Sequence, residues 1–157
     1  RITPLRPWQI LGSHALTHLA MCATGAVLLV GVGAAAYGLN PPASSSATMF
    51  ALVLSAGSLI SIGFLLGAVL PSVRTTQAIA AAFYFPAIFV SGALFPREVL
   101  PAFAQQIGDV LPMTYAVRSV REAWTLGTVD VVGLLVLAGT ILVATLIALK
   151  TFRWEGR

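Results

Sequence analysis

The sequence predicts an all-α protein that crosses a membrane four times and carries an amphipathic helical segment outside, between the third and fourth crossings. Charge is scarce and apolar character high. Of 157 residues, 58% are hydrophobic and 9% charged, with a mean hydropathy of +0.93, where a soluble domain carries about 25% charged residues. So little charge would leave most of a soluble fold's surface unsolvated. The charges are also unevenly spread. No Asp, Glu, Lys or Arg lies between Arg6 and Arg74, between Arg74 and Arg97, or between Asp130 and Lys150. An uncharged apolar run of about 18 residues or more reads as a membrane-spanning helix, and the first gap has room for two.

The spans are expected at about 11–39, 49–70, 76–94 and 131–150, within one transmembrane domain over 1–157. Residues 15–38 extend about 36 Å as a helix, enough to cross a core of about 30 Å with some tilt. Pro7 suits a first helical turn and Trp8 the interfacial aromatic belt. Asn40-Pro41-Pro42 should stop the first span, with Ser44-Ser45-Ser46 as a short polar loop. Pro71-Ser72-Val73-Arg74 reads as a tight turn. Pro86 falls inside the third span and should kink it, because it removes a backbone donor.

The external segment, about 95–130, holds seven of the fourteen charged residues and three prolines. One helix is expected over Glu98–Val110, interrupted early by Pro101, and a second over Tyr115–Leu126, with Thr114 as its N-cap. In the second, Met113, Val117, Val120 and Trp124 share one face, and Arg118, Arg121 and Glu122 the other. Arg118 and Glu122 form an i,i+4 pair. This is the pattern of a helix lying at the lipid–water boundary or dipping into it.

Orientation follows from basic residues in short connections. Arg1, Arg6, Arg74, Lys150, Arg153 and Arg157, less Glu155, put net +5 on one side. Arg97, Arg118 and Arg121 against Glu98, Asp109, Glu122 and Asp130 put net −1 on the other. Both ends are therefore expected in the cytoplasm. The opening Arg1–Pro7 lacks signal-peptide form and reads as the interior of a cytoplasmic segment, so the chain is taken as a fragment. The net charge of +4 and pI near 10.0 do not point to nucleic acid, because the basic residues are scattered as membrane flanks.

Few residues invite chemistry. His14 and His18 have the i,i+4 spacing of metal ligands, but no third ligand is near, and two polar side chains packed against a neighbouring helix are the plainer reading. Cys22, the single cysteine, suits buried packing. No nucleophile has a base in a recognisable pattern, and no phosphate-binding loop occurs. We therefore expect no catalytic residue, no metal and no cofactor on this chain. No acid lies mid-span, which weighs against a proton-coupled carrier. Gly63 and Gly67 form a GxxxG with Gly57 and Ser61 a turn earlier, a face suited to close helix packing.

Two stretches resemble the type-2 ABC-transporter permeases. Thr3-Pro4-Leu5-Arg6-Pro7-Trp8-Gln9-Ile10-Leu11 is similar to the family's segment between a cytoplasmic coupling helix and the third of six spans. Phe85-Pro86 through Ser91-Gly92-Ala93-Leu94-Phe95-Pro96, then Leu100-Pro101, Leu111-Pro112, Thr114-Tyr115 and Arg118, is similar to its signature around the fifth span and external re-entrant helices. The resemblance covers essentially the whole chain and implies the last four spans of a six-span permease. It implies an exporter of drug, lipid or polysaccharide-type substrates in a bacterial cell membrane, nearest to drug-resistance exporters. The implied partners are separate ATPase subunits, which bind ATP and magnesium, and a second permease subunit, all set in membrane lipid. Arg118, Arg121 and Glu122 would cap the outer mouth, and Arg6 would steady the cytoplasmic one. The alternatives are a membrane anchor or assembly subunit with no path of its own, and a polytopic membrane enzyme.

Overall fold

The computed structural model describes residues 7–151, with side chains from residue 12 onward. Arg1, Arg6, Arg153, Glu155 and Arg157, together with the side chain of Trp8, lie outside the described residues. The described residues hold six α-helices, one 3-10 turn and no strand. Four of the helices are long and apolar enough to cross a membrane. The chain divides into two units at Pro41/Pro42.

The first unit is built on α1, Pro7–Tyr37. It starts on a proline, whose missing N–H is harmless there. It ends before the expected prolines, because Gly38 adopts φ +63° and the Leu39 N–H returns to the Gly33 carbonyl at 3.2 Å, a glycine-terminated cap. Thr17 and Thr24 donate back to the carbonyls of Ser13 and Ala20, so their hydroxyls need no water. His14, His18 and Cys22 are exposed. Among the described residues no group of three metal-ligating side chains forms.

The second unit contains α2 (Ser45–Val69), α3 (Val73–Val90), a 3-10 turn (Arg97–Val99), α4 (Ala102–Val110), α5 (Pro112–Thr125) and α6 (Val131–Thr151). α2 starts earlier than the apolar run suggested. Ser44 is its N-cap, accepting from the Ala47 N–H at 3.3 Å, so Ser45 and Ser46 are helical rather than looped. Serine is favoured at that position because its oxygen satisfies an orphan backbone donor. Ser72 does the same for α3, accepting from Thr75 at 3.1 Å.

α3 runs through Pro86 and stops at Val90, short of Leu94. Ser91 and Gly92 form the stop, with Gly92 at φ +85°. At 18 residues and mean hydropathy 1.2, α3 is the weakest of the four candidate spans. It would extend only about 27 Å.

The core of this unit is made of small residues. α2 buries Thr48, Ala51, Ser55, Ser58 and Ser61. α5 buries Thr114, Ala116, Ser119 and Ala123. α6 buries Gly133, Leu137, Ala144 and Ala148. These three helices pack on one another more extensively than any other pair in the unit. Large side chains such as Leu135, Leu142, Val143 and Leu146 stay on the outside. This arrangement suits lipid, where burying leucine gains nothing over leaving it in acyl chains and close backbone approach carries the packing. α3 buries none of its residues.

α4 reaches α3 through Gly108, where an added Cβ would lie 2.6 Å from the Val90 carbonyl oxygen. Gly139 in α6 has no atom within 4 Å of such a Cβ. Gly108→Ala should therefore destabilise the protein by about 1–3 kcal/mol through overpacking. Gly139→Ala should be neutral or stabilising by up to about 1 kcal/mol. Unfolding midpoints in detergent separate the two, and equal effects would contradict the packing described.

Candidate functional site

The polar chemistry of the second unit gathers on α5 and at its junction with α6. α5 begins at Pro112, with Leu111 in the cap position. Thr114, expected to be the cap, lies inside the first turn and is buried. Proline accounts for the difference, since its fixed φ and absent N–H suit the first helical position. From that start, Arg118 and Glu122 fall one turn apart on one side of α5, whereas Arg121, expected with them, borders the groove alongside Val117, Val120 and Trp124.

Arg118 finds its main partner across the junction. Its Nε donates to Asp130 Oδ2 at 2.8 Å and its Nη2 to Oδ1 at 3.0 Å, a two-pronged pair. Glu122, one turn on, stands at 4.0 Å and is secondary. The Arg118 guanidinium also lies 5.2 Å from the Tyr115 ring centre. Asp130 accepts as well from the Ser119 hydroxyl at 3.2 Å and from the Gly133 N–H at 3.0 Å. It thereby caps α6 with its charge at the helix's positive end. Gly133 is required there, because a Cβ would strike the Asp130 carboxylate and the Ser119 hydroxyl.

The Asp130 side chain is 7% exposed and that of Arg118 37%. Burial is the largest single influence on the Asp130 carboxyl and pushes its pKa up. The hydrogen bonds from Arg118, Gly133 and Ser119, with the charge of Arg118, outweigh it, so the carboxyl sits below its usual range. The hydrogen bond to Asp130 raises Arg118, and burial opposes this only in part.

Arg121 is arranged differently. Its Nη2 donates to the Gly92 carbonyl at 3.2 Å, tying α5 to the turn after α3. Among the described residues it has no carboxylate partner. A separate clamp holds the connecting loop. Arg97 donates to Asp109 Oδ1 at 2.6 Å and to the Gln105 carbonyl at 3.1 Å. Gln105 donates to the Leu100 carbonyl at 2.9 Å, and the Tyr115 hydroxyl to the Asp109 carbonyl at 2.8 Å. At the other end of α5, the Ala43 N–H reaches the Trp124 carbonyl at 2.8 Å.

The apolar face of α5 borders a groove of about 490 Å³. Its walls are Met113, Ala116, Val117, Val120, Arg121, Trp124 and Thr125 of α5, Ser55 and Leu59 of α2, and Gly92 and Ala93 of the turn. Of the small-residue face predicted on α2, Ser61 is buried and donates to the Ser58 carbonyl at 2.7 Å. A Cβ on Gly57 would meet Ile141 at 3.3 Å. Gly63 and Gly67 are placed differently, since added Cβ atoms would meet nothing within 4 Å. The expected pairing of Arg118 with Glu122 was visible at helical spacing, whereas Asp130, twelve positions away, was not.

Asp130→Asn should lower stability by about 2 kcal/mol at neutral pH, through the lost ion pair and weakened cap. A carboxyl with a lowered folded pKa contributes above its unfolded value, about 3.9, and that contribution fades as pH falls through the folded value. The difference between wild type and Asp130→Asn should therefore close only below about pH 4. Unfolding midpoints across pH test this, and a difference already gone at pH 6 would refute it.

The signature residues noted in the sequence fall at the corners of this architecture. Ser91-Gly92 ends α3, Pro101 and Pro112 precede or open α4 and α5, and Arg118 reaches Asp130. The model of the family described as "ABC-2 type transporter" matches residues 1–124, a stretch that includes Arg118 and stops short of Asp130. ABC transporter G family member 20 of Dictyostelium discoideum is 30% identical over 122 residues, covering 75% of this chain and 16% of that protein. The probable multidrug ABC transporter permease YbhR of Escherichia coli K12 is 25% identical over 114 residues, covering 73% of this chain and 31% of that protein. The chain thus spans less than a third of the length of either relative. No solved structure matches it. With four helices apolar enough to span a bilayer and the family model covering most of its length, the chain is a multi-pass membrane protein that belongs to the ABC-2 type transporter family.

Proposed function

We propose that this chain is part of the permease of an ATP-driven exporter that moves drug, lipid or polysaccharide-type substrates out of the cytoplasm. Family membership is the observation that carries the reading. The name of the YbhR relative, a probable multidrug permease, favours drugs among those classes. ATP and magnesium would bind separate ATPase subunits. Both ends would lie in the cytoplasm of a bacterial cell, as the charge asymmetry suggests.

Closure of the ATPases would shift one permease subunit against another and open a path between them. The chain would supply shaped apolar surface and bistable helix packing, not covalent chemistry. Arg118, Arg121 and Glu122 would shape the outer mouth, with Asp130 holding Arg118 in place. Pro86 would supply a yielding point in α3. Arg6 would steady the cytoplasmic end. Gly63 and Gly67, open in this chain, would take a helix of the second permease subunit.

The decisive experiment is reconstitution of the full transporter with and without the protein bearing this chain. Drug-stimulated ATP hydrolysis and efflux should both vanish without it. Efflux that persists would favour an anchor or assembly subunit instead. Gly63→Leu should leave the unfolding midpoint of the separated subunit unchanged while weakening association of permease subunits in crosslinking. Unaltered association would remove Gly63 from that interface.

A further inference from the structure

The groove beside α5 combines three features that point to one kind of occupant. Its walls are mainly apolar, formed by Leu59, Val117, Val120 and Trp124. Ser55 also lines it, yet the Ser55 hydroxyl is buried and has no hydrogen-bond partner among the described residues. Leaving a buried hydroxyl unpaired costs free energy, which a partner in the groove would recover. Arg121 also lines it, with a single side-chain hydrogen bond, to Gly92, and no carboxylate partner among the described residues.

Contrast with Arg118 sharpens the point. Both arginines lie on α5, but Arg118 is held by Asp130 through two hydrogen bonds, leaving it little to offer a ligand. Arg121 keeps most of its donors, in a fork suited to two oxygens of a phosphate. A cation, an apolar trough and a lone hydroxyl match an anionic head, a hydrocarbon chain and an ester oxygen. A groove of about 490 Å³ has room for one acyl chain, with the rest of the lipid left in the bilayer. A zwitterionic choline lipid would instead bring its own cation toward Arg121.

We propose that the groove seats one anionic phospholipid drawn from the surrounding bilayer. Its phosphate pairs with Arg121, an ester oxygen meets Ser55, and an acyl chain lies along Val117, Val120 and Trp124. The proposal depends only on the chain residing in a bilayer. It stands or falls separately from the exporter reading.

The test uses the full protein in nanodiscs, with every tryptophan other than Trp124 replaced by phenylalanine, Trp8→Phe and Trp154→Phe among them. Acyl-brominated phosphatidylglycerol and acyl-brominated phosphatidylcholine are compared as quenchers at equal mole fraction. Phosphatidylglycerol should be preferred about fivefold, the scale expected for one cation acting on an anionic lipid. Arg121→Gln should abolish the preference, and Arg121→Lys, which keeps the charge, should retain most of it. Val120→Phe, which fills the trough, should reduce quenching by both lipids. Equal quenching by the two lipids in the parent protein would overturn the proposal. So would a preference that survives Arg121→Gln.

Discussion

The second unit depends most on the Asp130 carboxylate, where two helices and a connection are tied by one group. Asp130 receives Arg118 and Ser119 from α5 and the Gly133 N–H from the first turn of α6. An ionised carboxylate in an apolar setting is unfavourable alone, and becomes tolerable only when its oxygens are occupied and a countercharge is adjacent. Both conditions hold. The same geometry explains why α6 starts where it does and why a residue with no side chain stands at Gly133. α5 has no Ser, Thr, Asn or Asp at its own cap position, so its placement rests on Pro112 at one end and on this tie along its length.

Around that tie the packing follows the logic of lipid rather than water. The surface buried between α2, α5 and α6 is mainly alanine, serine, threonine and glycine, with Leu137 the one large apolar side chain fully enclosed among the described residues, while most leucine and valine side chains of these helices point outward. In water this distribution would be inverted. In hydrocarbon it lets helix backbones approach and leaves the large side chains in contact with acyl chains. On the buried face of α2, Ser61 satisfies its hydroxyl with the Ser58 carbonyl. Ser55, Ser58 and Thr114 form no such bond among the described residues, and Ser55 is the one of the three that borders the groove.

Much of this was legible in the sequence, because charge-free apolar runs have few outcomes besides spanning helices. The helical character of 95–130 was legible too, and so was the shared face of Met113, Val117, Val120 and Trp124, which borders the groove. Helix ends were read less well. Ser44 and Ser72 act as caps through geometry that composition alone assigns equally to loops. The stop at Val90 depends on the left-handed backbone of Gly92, although Leu94 continues the apolar run. Asp130 entered the charge count only as a boundary of the last span. Its pairing with Arg118 is set by the turn through Gly127, at φ +68°, which folds α6 back along α5, and no helical spacing encodes that.

These contacts divide the second unit into parts of unequal rigidity. α5 is fixed on three sides: by small residues against α2 and α6, by Asp130 at the junction, and by the Ala43–Trp124 hydrogen bond near its end. Moving it would break several of these at once. α3 is held otherwise. It buries none of its residues, carries Pro86 where a backbone donor is missing, and joins α5 through the Arg121–Gly92 contact. Local opening is least costly where buried contacts are few. A displacement within this unit would therefore fall first on α3, with Gly92 as its pivot, while α2, α5 and α6 stay together. The groove is bounded by both parts, with Gly92 and Ala93 on one wall and the fixed α5 on the other. Arg121, which donates to the Gly92 carbonyl, spans the two parts at that boundary.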